Sequence, residues 1–306
     1  METPVSLSHM INLDAAALRD WPLPMPSPEG DKEVRGHVLI LGGSREMPGA
    51  VILAATAALR AGAGKLTIAT GACVAQLVAL AIPEARVIGL RETDEGGFTG
   101  DAVAELDPLA DKVSAVLVGP GMQDEAATAA LVRALLPRLD GVAVVLDACA
   151  MGIVLSPDLD GEQPEFRFEH SVILTPHAGE MAHLSGAPKE QIASDAPAHA
   201  AAAAKKWNAV VALKGARTLI GAPGGGMWQH EGGNVGLAIS GSGDVLAGII
   251  AGLAARGATL TQACCWGVAL HATAGDRLAT RLGLLGYLAR ELPDEIPALL
   301  KSIQAG

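Results

Sequence analysis

A single carboxylate, Asp244, closes the run SGSGD (240–244) and enters the apolar stretch VLAGII. Val245, Leu246, Ile249, Ile250 and Leu253 recur at three-to-four spacing, which predicts a helix opening between Gly241 and Asp244. A helix start presents unpaired N–H groups and a partial positive charge, and glycine lets a phosphate reach that backbone unobstructed. Gly241, Ser242 and Gly243 therefore suit an anion. Asp244 would either cap the helix or act as a base on a second reactant beside the phosphate.

Three further stretches place reactive side chains directly after apolar runs. TPHAGEM (175–181) supplies His177 and Glu180, read either as site residues or as a polar turn in which Glu180 is the third residue of a helix start. KGART (214–218) supplies Lys214 and Thr218, and Asp147 ends VAVVLD, where a carboxylate could join a magnesium shell or cap a helix. Other chemistries find no support. No G-x-S-x-G surrounds Ser44, Ser240 or Ser242, and no H-E-x-x-H or paired-cysteine motif is present. Lys65 fails the phosphate-loop motif, because Leu59 holds the first glycine's place and Leu66 follows the lysine. GGSREMPGAV (42–51) does not match G-x-G-x-x-G. Phosphate chemistry remains.

The elements that must position these residues are legible as alternation. Short Val- and Ile-rich runs at 37–43, 65–70, 86–90, 115–121, 142–148, 171–177 and 209–215 alternate with helical patterns at 50–62, at 125–139 and in the Ala-rich stretch ending at Trp207. The pattern predicts an α/β fold: a three-layer α/β/α sandwich with a mostly parallel central sheet, whose ligands gather at the carboxyl ends of strands. TLIGA and MWQH flank PGGG as a hairpin, and a last long helix is expected over Leu260 to Leu282. Residues 1–35, with prolines from Pro22 to Pro28, read as an N-terminal arm, and 36–306 as a single domain.

Composition narrows the partners. The 306 residues carry a net charge of -11 and no basic block, which argues against nucleic acid and anionic membranes. The longest charge-free run, Leu66 to Pro83, contains Gly71, Gln76 and two threonines, whereas a spanning helix needs about 20 continuous apolar residues. The polar, proline-broken N-terminus lacks a signal-peptide pattern, so a cytoplasmic location is expected. Cys73, Cys149, Cys264 and Cys265 are expected to be buried, reduced thiols.

Taken in order, GGS...GAVILAATAALRAGAG, VGPGM, TPHAGEM, KGART and GNVGLAISGSGDVLAGIIAGLAARG make residues 36 to 290 resemble the ADP/ATP-dependent NAD(P)H-hydrate dehydratase family. That family is a branch of the ribokinase-like superfamily. The resemblance implies a repair enzyme that uses ADP or ATP with Mg2+ to dehydrate the S epimer of hydrated NADH or NADPH, working as a homotetramer. It implies that Ala50, Gly121, His177 and Asp244 contact the hydrated dinucleotide. Lys214, Gly215, Ala216, Arg217, Thr218, Gly241, Ser242 and Gly243 would hold the adenine nucleotide, Asp244 would be the catalytic base, and Glu180 would reach Mg2+ through water. The family's D-A-D-A-L-N is DACAMG here, placing Cys149 for an acid and Gly152 for an amide. Ala178 replaces a proline, and GNVG stands for G-N-P-G. Two alternatives stay open: a small-alcohol kinase of the same superfamily, and a nucleotide-binding sensor without turnover.

Overall fold

A computed structural model describes residues 10–27, 29–155 and 166–304. Residues 1–9 of the arm and Pro28, the end of its proline-rich stretch, lie outside them. The chain runs β1 (Met10–Asn12), α1 (Ala15–Arg19), β2 (His37–Leu41), α2 (Pro48–Arg60), β3 (Lys65–Gly71), α3 (Ala75–Ala81), β4 (Arg86–Leu90), α4 (Ala102–Ala110), β5 (Ala115–Val118), α5 (Glu125–Leu135) and β6 (Ala143–Leu146). It continues with β7 (Val172–Leu174), α6 (Ala178–Ser185), α7 (Lys189–Ser194), α8 (Ala196–Trp207), β8 (Ala209–Leu213), β9 (Thr218–Gly221), β10 (Met227–His230), α9 (Ser242–Ala255), α10 (Leu260–Leu282) and α11 (Leu292–Gln304).

The ten strands among the described residues join one sheet in the order β1-β10-β9-β8-β7-β6-β5-β2-β3-β4. From β8 to β4 every pairing is parallel; β9 and β10 add an antiparallel hairpin, and β1 returns parallel to β10. Because strand side chains alternate between faces, Val38 and Ile40 enter the core under α2, α9, α10 and α11, while Leu39 and Leu41 enter the core on the opposite face. Both faces are covered, which is why these strands read as continuous apolar runs. The order also contains a reversal. From β2 the chain proceeds outward to β3 and β4, then returns to β5 and proceeds the other way, so the order switches between β2 and β5, whose following loops meet at the strands' carboxyl ends, the Gly43 N–H donating to the Pro120 carbonyl at 2.6 Å.

Small residues set the closest helix contact. A Cβ at Gly248 would lie 2.2 Å from the Ala54 carbonyl oxygen, and one at Gly252 would lie 2.5 Å from that of Ala58. Glycine thus lets α9 lie backbone to backbone on α2. The arm docks on the molecule: Trp21 stacks on Trp228 at 6.1 Å, and its carbonyl accepts from Trp266 Nε1 at 2.9 Å and Gln262 Nε2 at 3.2 Å.

One cysteine expectation needs correcting. Cys264 and Cys265 are buried in α10 and Cys149 is half-buried, but Cys73 is exposed, because it falls in the turn after β3, where its thiol donates to Glu92 Oε2 at 2.8 Å. Among the described residues, no helix is long and apolar enough to cross a membrane.

Candidate active site

Four elements end at one place. β8 delivers Lys214, β7 delivers Thr175 and His177, β6 delivers Asp147, and α9 begins with Ser242, Gly243 and Asp244. A bridge pairs His177 with Lys214, and the Lys214 N–H donates to the Pro176 carbonyl at 2.8 Å, so the two loops are held side by side. At the centre stands the Lys214 ammonium, 3.4 Å from Asp147 Oδ1 and 3.6 Å from Glu180 Oε2. Asp147, only 3% exposed, is oriented by the Thr175 hydroxyl, which donates to its Oδ1 at 2.6 Å.

The charges are unequal, three carboxylates to one ammonium, and Asp244 absorbs the excess. Its pKa is pushed up to about 7, first by burial and then by the negative charge of Asp147, with Glu180 adding and Lys214 opposing. Burial alone would lower Lys214, but attraction to Asp147, Glu180 and Asp244 outweighs it and leaves the ammonium raised. Asp244 occupies the third position of α9, yet among the described residues its carboxylate has no hydrogen-bond partner, so it does not cap the helix.

The two glycines of the helix start answer to different causes. Gly241 has φ +89, and a Cβ there would lie 2.4 Å from Leu53 Cδ1, so the fold itself demands glycine. At Gly243, φ is not positive and a Cβ would meet only Lys214 Nζ, at 3.5 Å. The protein has room for a side chain at 243; keeping the position bare leaves the helix N–H groups open to something from outside.

His177 and Glu180 realise the turn reading in full. His177 Nδ1 accepts from the N–H groups of Gly179 (2.9 Å) and Glu180 (3.1 Å), while Glu180 Oε2 accepts from the His177 N–H at 2.7 Å. That box does not use up either residue. With Nδ1 accepting, the proton of the neutral ring belongs on Nε2, and the His177 side chain is 59% exposed.

Ala50 and Gly121 lie against each other where the loops after β2 and β5 meet. Gly121 has φ +71, and a Cβ there would approach Ala50 Cβ to 2.9 Å and the Met47 carbonyl to 2.5 Å. α2, which begins with Ala50 in its first turn, reaches the start of α9, where its Leu53 backs Gly241. Gly215 to Arg217 form the turn from β8 to β9, Thr218 opens β9, and Arg217 pairs with Glu231 at 3.7 Å on the hairpin's far side.

Sequence reading missed His271 and Asp276. His271 Nε2 lies 3.0 Å from Ser242 Oγ, and Asp276 accepts from the Gly233 N–H and the Asn234 amide, both at 3.0 Å. The available signal was a histidine and an acid within the mostly buried stretch of α10 between Ala263 and Leu278. Asp147 opens the DACAMG block in the site, but the altered positions face elsewhere: Cys149 Sγ is 3.8 Å from Thr128 Oγ1 on α5, and a Cβ at Gly152 would strike Glu125 Cγ at 2.5 Å. Cys149 and Gly152 are packed against α5, so neither departure alters the groups around Lys214.

Among the described residues, no group of three His, Cys, Asp or Glu side chains could cage a metal ion. An ion carried by phosphates needs only one or two carboxylates from the protein, and Glu180 and Asp147 beside Lys214 can supply them.

Comparison with known proteins agrees with this arrangement. The NAD(P)H-hydrate dehydratase family model matches residues 38–298. The ADP-dependent (S)-NAD(P)H-hydrate dehydratase of Xanthomonas campestris pv. campestris is 49% identical over 95% of this chain and 96% of its own. A solved structure of the ADP/ATP-dependent NAD(P)H-hydrate dehydratase from Bacillus subtilis, co-crystallized with ATP/Mg2+, is similar with a TM-score of 0.82 and 30% identity, covering 97% of this chain and 99% of that one. A ribokinase-like superfamily protein from Enterococcus faecalis V583 is similar with a TM-score of 0.81 and 26% identity, covering 99% of this chain and all of that one. With sheet order, helix start and whole-length similarity in accord, the chain belongs to the NAD(P)H-hydrate dehydratase family.

Proposed function

We propose that the protein dehydrates the S epimer of hydrated NADH and NADPH at the expense of ADP or ATP. The observation that carries this reading is the pairing at the start of α9: a bare, anion-receptive turn at Gly243 beside Asp244, a half-buried carboxylate whose pKa is pushed up to about 7. The turn and Lys214 hold the terminal phosphates, and KGART (214–218) with Gly241 to Gly243 forms the nucleotide site. The hydrated ring lies across Ala50, Gly121 and His177, with its hydroxyl toward Asp244.

Asp244 takes the hydroxyl proton as that oxygen attacks the terminal phosphorus, and the bond to the nucleotide breaks, leaving AMP from ADP or ADP from ATP. The ring now carries phosphate, a far better leaving group than hydroxide. The ring nitrogen's lone pair expels it, and loss of a proton from the adjacent carbon restores the dihydronicotinamide. His177, donating from Nε2, orients the dinucleotide. Mg2+ on the phosphates, reached through water by Glu180, would supply charge neutralisation. Homotetramer assembly, which the family resemblance implies, is measured by light scattering.

The test is product analysis with hydrated NADH, Mg2+ and ADP or ATP. The dehydratase returns NADH absorbance and one inorganic phosphate per turnover. A stable phosphoester would identify a kinase, and nucleotide binding without product would identify a sensor. Gly243→Val separately tests the nucleotide site: its Cβ has ordinary contact distance, 3.5 Å from Lys214 Nζ, and its side chain fills the anion's approach. ADP affinity by calorimetry should collapse while the melting temperature holds; unchanged affinity would move the site elsewhere.

A further inference from the structure

The segment from Gly233 to Asp244 leaves the sheet after β10, passes the short turn Val235–Leu237 and ends as the first turn of α9. Its glycines provide no side chains to hold it, and its fastening comes from α10. At one end Asp276 receives the Gly233 N–H on Oδ2 and the Asn234 amide on Oδ1, each at 3.0 Å; Asn234 Oδ1 in turn accepts from the Tyr287 hydroxyl at 3.0 Å. In the middle, Gly275 leaves space for Leu237, whose Cδ2 would lie 2.7 Å from a Cβ at 275. At the other end His271 Nε2 meets the hydroxyl of Ser242, the first helical residue of α9, at 3.0 Å.

We propose that His271 is a positioning residue for the nucleotide's phosphates, acting through Ser242 to fix the direction of the N–H groups at the start of α9. N–H groups bind an anion best when their directions are set beforehand, because ordering a glycine-rich turn on binding would subtract from affinity. His271 suits the task because it adds no charge. Burial, joined by the nearby Lys214 ammonium, holds its imidazole near a pKa of about 4 against the hydrogen bonding of Ser242, so it is neutral at ordinary pH. A neutral ring nitrogen and a serine hydroxyl can bond whichever of them donates.

The inference rests on the nucleotide lying at Gly241–Asp244, and the test is a double-mutant cycle on ADP affinity with the full-length protein. His271→Leu should raise the ADP dissociation constant about tenfold or more, since it leaves the buried Ser242 hydroxyl unpaired. In a Ser242→Ala background the same change should cost no more than about twofold, because the group it acts through is gone. Fold-maintaining contacts alone would give multiplying effects, and that outcome overturns the proposal, as does ADP affinity within about twofold of wild type in the single His271→Leu variant. If His271→Leu does not fold, His271→Gln and His271→Asn replace it. Gln, which can reach Ser242, should bind ADP nearly as wild type does, and the shorter Asn should not; equal affinities overturn the proposal. Loss of ADP binding in Gly243→Val but not in the His271 variants rejects this inference alone, whereas intact binding in Gly243→Val rejects the nucleotide site itself.

Discussion

Asp244 joins two conditions that rarely coincide: it is a carboxylate, and it holds its proton until about neutrality. A base working near pH 7 gains from this, because its conjugate acid is weak enough for the carboxylate to take a proton from a hydroxyl, while the group is still partly ionised. Asp244→Asn keeps the shape and removes the acceptor. It should lower kcat by about a hundredfold to ten-thousandfold, while ADP affinity holds or improves with one negative charge gone; more than about a tenth of wild-type kcat would reject the base. For the wild type, kcat/KM should rise with pH along a limb centred near 7. Stability should move the opposite way. A carboxyl whose folded pKa is raised from 3.8 to about 7 stabilises fully below the lower value and loses that contribution as pH rises through the upper one. Asp244→Asn should therefore melt higher than wild type at pH 8, with the gap closing toward pH 4. The carboxylate itself was legible in SGSGD, since an acid beside an anion site needs a reason. Its proton affinity was not, because that depends first on burial in the folded site and then on Asp147, nearly a hundred residues away in sequence.

At the scale of elements, the parallel strands were legible because burial on both faces leaves unbroken apolar runs, as in VVAL before Lys214. β1 was not, since three residues are too few to show a period. His271 and Asp276 were hidden for another reason: their partners lie in a loop some 30 to 40 residues earlier, and no local spacing links them. The α9 glycines combine both cases. SGSGD announces the helix start, whereas Gly248 and Gly252 look like ordinary small residues until the backbone of α2 is seen against them. Gly248→Ala would set a methyl 2.2 Å from the Ala54 carbonyl oxygen, and neither backbone can yield without moving a helix. Overpacking of that kind costs about 1–3 kcal/mol, which should appear as a lower urea midpoint with an unchanged slope. An unaltered midpoint would mean that α2 and α9 slide freely.

At the scale of the molecule, one sheet carries the candidate site at the ends of its middle strands and the docked arm at its edge. Gln262 fastens that arm: its side-chain amide donates to the Trp21 and Pro22 carbonyls at 3.2 and 2.9 Å. Gln262→Leu should leave turnover intact and hasten proteolytic cutting near residue 20, followed by mass spectrometry; equal cutting rates would show that stacking on Trp228 suffices. The open space at Gly243 reaches further, into the cell. Most inactivating substitutions also destabilise, so a phenotype confounds missing chemistry with missing protein. A side chain at 243, whose Cβ would meet Lys214 Nζ at 3.5 Å, lies in the path of the incoming phosphates. Cells carrying that allele would hold a normal abundance of silent protein, and comparison with a deletion strain would separate the damage left unrepaired from any role the protein plays by being present.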